Sequence, residues 1–236
     1  MRGQSLTPLR PHELYGMALQ DHLRSGAPVR FGLVIQGRTL LCSSQDSFEP
    51  PIPLRPLEDA ALGRCSGRTL DVAAGAGRHS LILMEKGIEI LPIDIEPRCV
   101  EVMKSRGLNQ ALCADVFQLA HGRFDTILIL QQTIGIAGTL AGLGSLLGSF
   151  RKMLAPKGQV LLDSTSPVLP GRTAGYAGQL SVQLVYADQT GPAFPFLWID
   201  SDVLGICAQA AGFDCEVIME GPNPCDYLCR LIVGAQ

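Results

Sequence analysis

From residue 67 onward the apolar residues gather into short unbroken runs, and each run alternates with a segment of helical spacing. "RTLDVA", "IEILPID", "ALCAD", "FDTILIL" and "QVLLDS" have the length and composition of strands. Between them, "GRHSLILMEKG" and "PRCVEVMKSRG" repeat apolar residues at helical intervals, and Gly87 and Gly107 supply the C-caps. Pro97 suits the first turn of the second helix. A longer helix is predicted in "TLAGLGSLLGSFRKML", where Leu140, Leu143, Leu146, Leu147, Phe150 and Leu154 share one face ahead of Pro156 and Gly158. Strands that are apolar throughout are buried on both faces, which requires a parallel sheet covered by helices on each side. Pro92 lies inside the second run, close to its C-terminal end, where the ladder is expected to be finishing.

The pattern changes after "QVLLDS". "QLSVQLVYAD" alternates like a half-exposed strand, "TGP" reads as its turn, and "AFPFLWID" as its returning partner. "DVLGICAQAAG" then predicts a helix, followed by strands "FDCEVIM" and "DYLCRLIV" that are close enough in sequence to pair antiparallel. The expected core is therefore an open, doubly wound α/β fold with a seven-stranded, mostly parallel sheet and an antiparallel last strand. Ahead of it, residues 11–24 predict an amphipathic helix with Leu14, Met17, Ala18 and Leu23 on one face. "VRFGLVIQGRTLLCS" predicts a hairpin turning at Gln36-Gly37. Pro50, Pro51, Pro53 and Pro56 make residues 43–56 a linker. The expected organisation is an N-terminal helix-hairpin appendage over residues 1–56 and a main domain over 57–236 with a strand-rich insert at about 164–199.

Composition narrows the class. Hydrophobic residues make up 47% of the chain and charged residues 17%, enough apolar surface for a large core and too little charge for disorder. A formal net charge of −3 with no Lys/Arg run argues against a nucleic-acid partner. No apolar run reaches a membrane span, and "MRGQSLTPLRPHELYG" lacks the apolar core of a signal peptide. The eight cysteines include no C-x-x-C pair, and the four histidines are not spaced as ligands, so no metal site is expected. Reduced thiols point to a cytoplasmic location, and the chain is expected to act as a monomer or homodimer.

The candidate chemistry centres on "LDVAAGAGRHS", where Asp71 precedes the turn Ala74-Gly75-Ala76-Gly77 at the C-terminal end of the first core strand. Ligands of open parallel sheets bind at such ends. A nicotinamide dinucleotide would use the same turn for its pyrophosphate. Ser80 stands where that fingerprint wants glycine or alanine, and Asp71, Asp94 and Asp115 form an acidic rim better suited to a cationic ligand rich in donors. Each aspartate alone could equally cap a helix or satisfy a loop.

Taken together, these stretches resemble class I S-adenosylmethionine-dependent methyltransferases over roughly residues 57–236. The glycine turn is similar to that family's cofactor motif, Asp94 in "PIDIEP" and Asp115 in "CADVF" to its next two acids, and "FDTILIL" and "FRKMLAPKGQVLLDS" to its later motifs. The resemblance implies S-adenosylmethionine as cofactor and a small-molecule acceptor, methylated by in-line displacement. Asp94 would accept from both ribose hydroxyls, and Asp115 and the Val116 backbone would bind adenine. Gly75 and Gly77 would carry the methionine moiety, with Asp71 facing its ammonium. Ala73, Ile95 and Gln131 would complete the contacts. Where many relatives that modify nucleic acids or protein amides carry Asn/Asp-Pro-Pro-Tyr/Phe, this chain has Gln131-Gln132-Thr133-Ile134, which argues against those acceptors. Tyr15, His79 and Gln131 are the candidate catalytic groups, and Tyr15, Gln132, Thr133, Tyr176 and Trp198 the candidate acceptor pocket, with the leading helix as a lid. A nucleotide- or NAD-binding oxidoreductase and a non-catalytic methyltransferase-like binding protein are the alternatives.

Overall fold

The computed structural model describes residues 8–49, 55–119, 122–167 and 175–234. Pro50, Pro51 and Pro53 of the expected linker lie outside these residues. The seven-stranded sheet follows the predicted design. Its strands are β3 (Thr69–Val72), β4 (Ile90–Asp94), β5 (Leu112–Cys113), β6 (Phe124–Ile129), β7 (Leu154–Thr165), β11 (Phe213–Glu220) and β12 (Asp226–Val233), in the order β11-β12-β7-β6-β3-β4-β5. The first five are mutually parallel, and β12 runs antiparallel to both β7 and β11. The order reverses beside β3, so the ends of β3 and β6 part there and open a crevice.

Helices α4 (Arg78–Glu85), α5 (Pro97–Ser105), α6 (Leu140–Met153) and α7 (Ser201–Ala210) cover the sheet. The α6 stripe is as predicted: Leu143, Leu146, Leu147 and Phe150 are fully buried against Ile127, Ile129 and Val160. The helix gives way directly to β7 at Leu154, so Pro156 lies within the long strand instead of ending the helix. Pro92 costs the sheet little. Asp94 and Ile90 point their carbonyls to the β5 side, where they meet the Ala114 amide and the Gln110 side chain. Pro92 shares that side by strand alternation, and β5 begins its pairing only opposite Ile93.

Two expectations on the N-terminal side are corrected. Residues 43–56 are not a plain linker: α2 (Gln45–Phe48) occupies part of them, and Pro56 is the first residue of α3 (Pro56–Leu62). Leu57, Ala61 and Leu62 of α3 are buried against Leu128, Leu161 and Leu228 of the main sheet. On the leading helix α1 (Glu13–Ser25), Leu19 is buried and Leu23 is 37% exposed, so the apolar face runs through Leu14, Ala18 and Leu19.

The hairpin β1 (Arg30–Ile35) and β2 (Arg38–Ser43) forms as expected. What local pattern could not foretell is its partner. β1 pairs antiparallel with β8 (Gln179–Tyr186), and β8 with β10 (Phe194–Leu197), giving a second sheet in the order β10-β8-β1-β2. The turn after β8 falls at Ala187-Asp188, both at positive φ, and not at "TGP"; the two-residue β9 (Gln189–Thr190) folds back from it onto β8. Leu180, Val182 and Leu184 of β8 are buried, as their alternation predicts.

α1 joins the two sheets. It lies on α5 at Gly16, where an added Cβ would come within 2.6 Å of Glu96 Cγ and 2.9 Å of Arg98 Cβ. Glu96 itself is buried and accepts from Arg10 and Arg98 at 3.0 Å each. Gly16→Leu should therefore lift α1 from α5 at an overpacking cost of about 1–3 kcal/mol. The expected outcome is a lower melting temperature together with faster proteolysis of the first 50 residues.

Candidate functional site

The crevice at the C-terminal ends of β3, β4 and β6 is a cavity of about 250 Å³. Its floor is the turn between β3 and α4. Ala73, Gly75 and Gly77 all take positive φ there, so the chain coils tightly. A left-handed alanine is unusual, and such conformations gather at binding turns. The Gly75 amide donates to Asp94 Oδ2 at 3.0 Å, and the Glu96 amide donates to Asp94 Oδ1 at 2.9 Å. Burial nevertheless pushes the Asp94 carboxyl up to about 6. Asp71 lies deeper, 2% exposed; Ser80 Oγ donates to it at 2.6 Å, and burial again raises its pKa.

The roof belongs to α1, α2 and the second sheet. Tyr15 hangs over the turn, so close that a Cβ on Gly75 would sit 2.8 Å from its hydroxyl. That hydroxyl lies 2.8 Å from Ser47 Oγ, and burial drives its pKa well above 10. Phe31, Leu33, Leu184, Phe194 and Phe196 line the far side of the cavity, with Ile136 and Thr133 from the 3₁₀ turn Thr133–Ala137. Gly135 in that turn admits Phe196, whose ring would fall 2.1 Å from an added Cβ. A neighbouring cavity of about 170 Å³ shares Val72, Ala73, Asp94, Ile95 and Ile136 and extends to Asp115, Val116 and Phe117. Asp115 accepts from the Phe117 amide and from Gln118, each at 2.9 Å.

Most predicted site residues converge on this cleft. Tyr15, Asp71, Ala73, Gly75, His79, Asp94, Ile95, Gln131 and Thr133 line the larger cavity, and Asp115 and Val116 the smaller. Four predicted residues do not. Gly77 faces away, where a Cβ would strike Leu108 and Met103, so it serves the packing of α4 on α5. Gln132 opens onto a separate cavity, its amide donating to buried Asp163 at 2.7 Å. Tyr176 Oη donates to Asp200 at 2.6 Å beside the start of α7. Trp198 pairs through its backbone with Gly178 at 2.8 Å and lines neither cavity. The sequence reading missed Arg78 and assigned no site role to Phe31, Leu33 or Leu184. The only local signal for the apolar ones was that the hairpin's apolar face needed a partner.

A model of the methyltransferase domain matches residues 70–162. Among solved structures, a methyltransferase from Bacteroides fragilis, in complex with S-adenosylhomocysteine, is 33% identical, with 97% of this chain and 98% of that one covered at a TM-score of 0.87. The chain belongs to the S-adenosylmethionine-dependent methyltransferases. Two further structures show the same fold at lower identity. They are the CcbJ methyltransferase from Streptomyces caelestis (14% identity, 81% and 95% covered, TM-score 0.64) and the sugar N-methyltransferase KedS8 from Streptoalloteichus (19%, 76% and 85%, 0.58). No curated protein sequence matches the chain.

The cleft of this methyltransferase fits its cofactor chemically. Each oxygen of Asp94 and Asp115 accepts one hydrogen bond within the protein and keeps acceptor capacity for a ligand donor. Gly75 lines the cavity, and its missing Cβ lets the Tyr15 hydroxyl approach the turn closely.

One wall of the cleft is a buried ionic cluster. Arg78 and Glu58 form an ion pair with both side chains 3% exposed, and Arg78 also donates to the Asp46 carbonyl at 2.7 Å. His79 Nε2 lies 3.5 Å from the same Glu58 oxygen, and Gln131 donates to it at 3.3 Å. Burial opposes the Glu58 charge, but its His79 and Arg78 partners prevail and hold the carboxyl below its usual range. Removing one member of such a pair strands the other charge at a cost of about 3–5 kcal/mol. Glu58→Ala should lower the urea midpoint accordingly, with an unchanged denaturant slope.

Proposed function

We propose that this methyltransferase acts on a small molecule held in the chamber between the two sheets, and that the polar floor holds S-adenosylmethionine. The observation that carries this reading is the division of one cleft into an acidic, glycine-lined floor and an apolar roof. Asp94 would accept from the ribose hydroxyls, Asp115 and the Val116 backbone would receive adenine, and Asp71 would face the ammonium end, directly or through water. The turn at Gly75, beside Tyr15, would take the methionine chain.

The cofactor's sulfonium supplies a methyl carbon already activated for displacement. The protein's work is then to bind, align and dry the reactants, and alignment alone is worth about 7–11 kcal/mol in favourable cases. α1 and the second sheet act as the water-excluding lid. The size of the chamber and the net charge of −3 favour a small-molecule acceptor over nucleic acid. Relatives of the same fold include a sugar N-methyltransferase and a glycopeptide N-methyltransferase, which agrees with an acceptor of modest size.

Titration of the protein with S-adenosylhomocysteine tests this assignment. The ligand hydroxyls stabilise the ionised form of Asp94, whose carboxyl sits up at about 6 in the free protein. Affinity should therefore fall as pH drops through about 6 and level off above it. Asp94→Asn should weaken binding at least tenfold, for two lost charge-assisted bonds of about 1.5–3 kcal/mol each, and flatten the pH dependence. Calorimetry from about pH 5 to pH 8 reads both. Tight binding of NAD in place of S-adenosylhomocysteine would favour the oxidoreductase alternative.

A further inference from the structure

His12 stands at the start of α1, in the position where helices usually carry a capping side chain, yet its imidazole makes no cap bond. Among the described residues the ring meets no hydrogen-bond partner. It touches Phe194 of β10 edge to face, with ring centroids 4.9 Å apart. It lines both cavities of the cleft, the apolar chamber and the part that reaches Asp115. Its backbone is held on either side: Arg10 pairs with Glu96 at 3.0 Å, and Glu13 with Arg98 at 3.0 Å. The lid thus presents one unsatisfied, fixed imidazole to the acceptor chamber.

The charges of the cleft are distributed unevenly. Asp71, Asp94, Asp115, Arg78 and His79 sit at the floor and its edge, while Phe31, Leu33, Leu184, Phe194 and Phe196 form the acceptor side. The carboxylates that line the chamber, Asp71 and Asp94, belong to its floor. A neutral acceptor suits such walls. If the attacking atom is a hydroxyl oxygen, it must also lose a proton during transfer, and a base must stand in the chamber.

We propose that His12 is the general base of the reaction and that the acceptor is an uncharged, largely apolar molecule presenting a hydroxyl, of the phenol class. This rests on the small-molecule reading above. As the acceptor oxygen bonds to the methyl carbon, the carbon–sulfur bond breaks and its electron pair stays on sulfur. The acceptor's O–H proton passes to the neutral imidazole, which returns it to water when the lid opens. Burial lowers the His12 pKa and so keeps the ring neutral at physiological pH, although Glu96, the charge that acts on it, pulls the other way. Asp94 and Asp115 line the same cavity from β4 and beyond β5, and β10 brings only Phe194 to the ring.

The test compares wild type with His12→Gln, using para-cresol, para-nitrophenol and para-methylaniline as acceptor probes and S-adenosylhomocysteine as the binding probe. Para-cresol should be methylated, and His12→Gln should lower kcat about 100-fold, the lower range for loss of a general base. With para-nitrophenol, which ionises without help near neutral pH, the loss should be under tenfold. The acid limb of the wild-type rate profile should disappear in the variant. Proton NMR of the ligand-free protein should show the His12 imidazole titrating below 6.5. S-adenosylhomocysteine affinity should stay within twofold. Equal rates in the two proteins, or turnover of the aniline without either phenol, would overturn the proposal while S-adenosylhomocysteine still binds. Turnover of none of the probes would overturn the acceptor class. Failure of wild type to bind S-adenosylhomocysteine would instead overturn the cleft assignment beneath it.

Discussion

The Gly75 amide donates to the Asp94 carboxylate at 3.0 Å, and this bond ties the end of β3 to the end of β4. The turn can approach that closely because glycine accepts a positive φ and carries no Cβ. The bond fixes one oxygen of a buried carboxylate and leaves each oxygen acceptor capacity toward the crevice. The other oxygen accepts from the Glu96 amide at 2.9 Å, and Glu96 in turn caps α5 and receives Arg10 from the leading segment. The floor of the cleft and the anchor of the leading segment therefore share one short stretch, Asp94–Glu96.

Above that floor the protein builds a roof from two segments far apart in sequence. β1 and β8 meet at Gly32↔Val185 and pair in register to Ile35↔Val182. Their pairing makes the N-terminal hairpin and the late insertion one sheet, and α1 bridges it to α5. The result separates chemistry by height: carboxylates and the Arg78–Glu58 pair lie low, aromatic and aliphatic walls lie high. A transferred methyl group would cross the boundary between the two, where Tyr15 and His12 stand.

The core was legible in the chain because parallel strands are buried on both faces and read as continuous apolar runs. Asp94 and Asp115 were legible for the same reason, since each one ends its run, whereas Asp71 stands inside its run, one residue before the end of β3. Gly75 and Gly77 looked equivalent in one motif; only the structure separates them, with Gly75 facing Tyr15 in the cavity and Gly77 facing Leu108 in the core. Tyr176 and Trp198 were placed in the acceptor pocket on residue type, which does not reveal direction. Phe194 and Phe196 face the cleft, whereas Tyr176 ties down Asp200. The β1–β8 pairing left no local trace, because nothing in either strand encodes a partner some 150 residues away. α3 was hidden by its shortness and by the prolines ahead of it.

Hydrogen–deuterium exchange with and without S-adenosylhomocysteine bears most directly on the claim that the leading segment closes the cofactor cleft. The ligand should slow exchange at the turn 72–77, at 93–96 and 114–117, and also along α1 and the paired strands β1 and β8. Protection confined to the floor, with α1 and β1 exchanging at the same rate in both states, would contradict it.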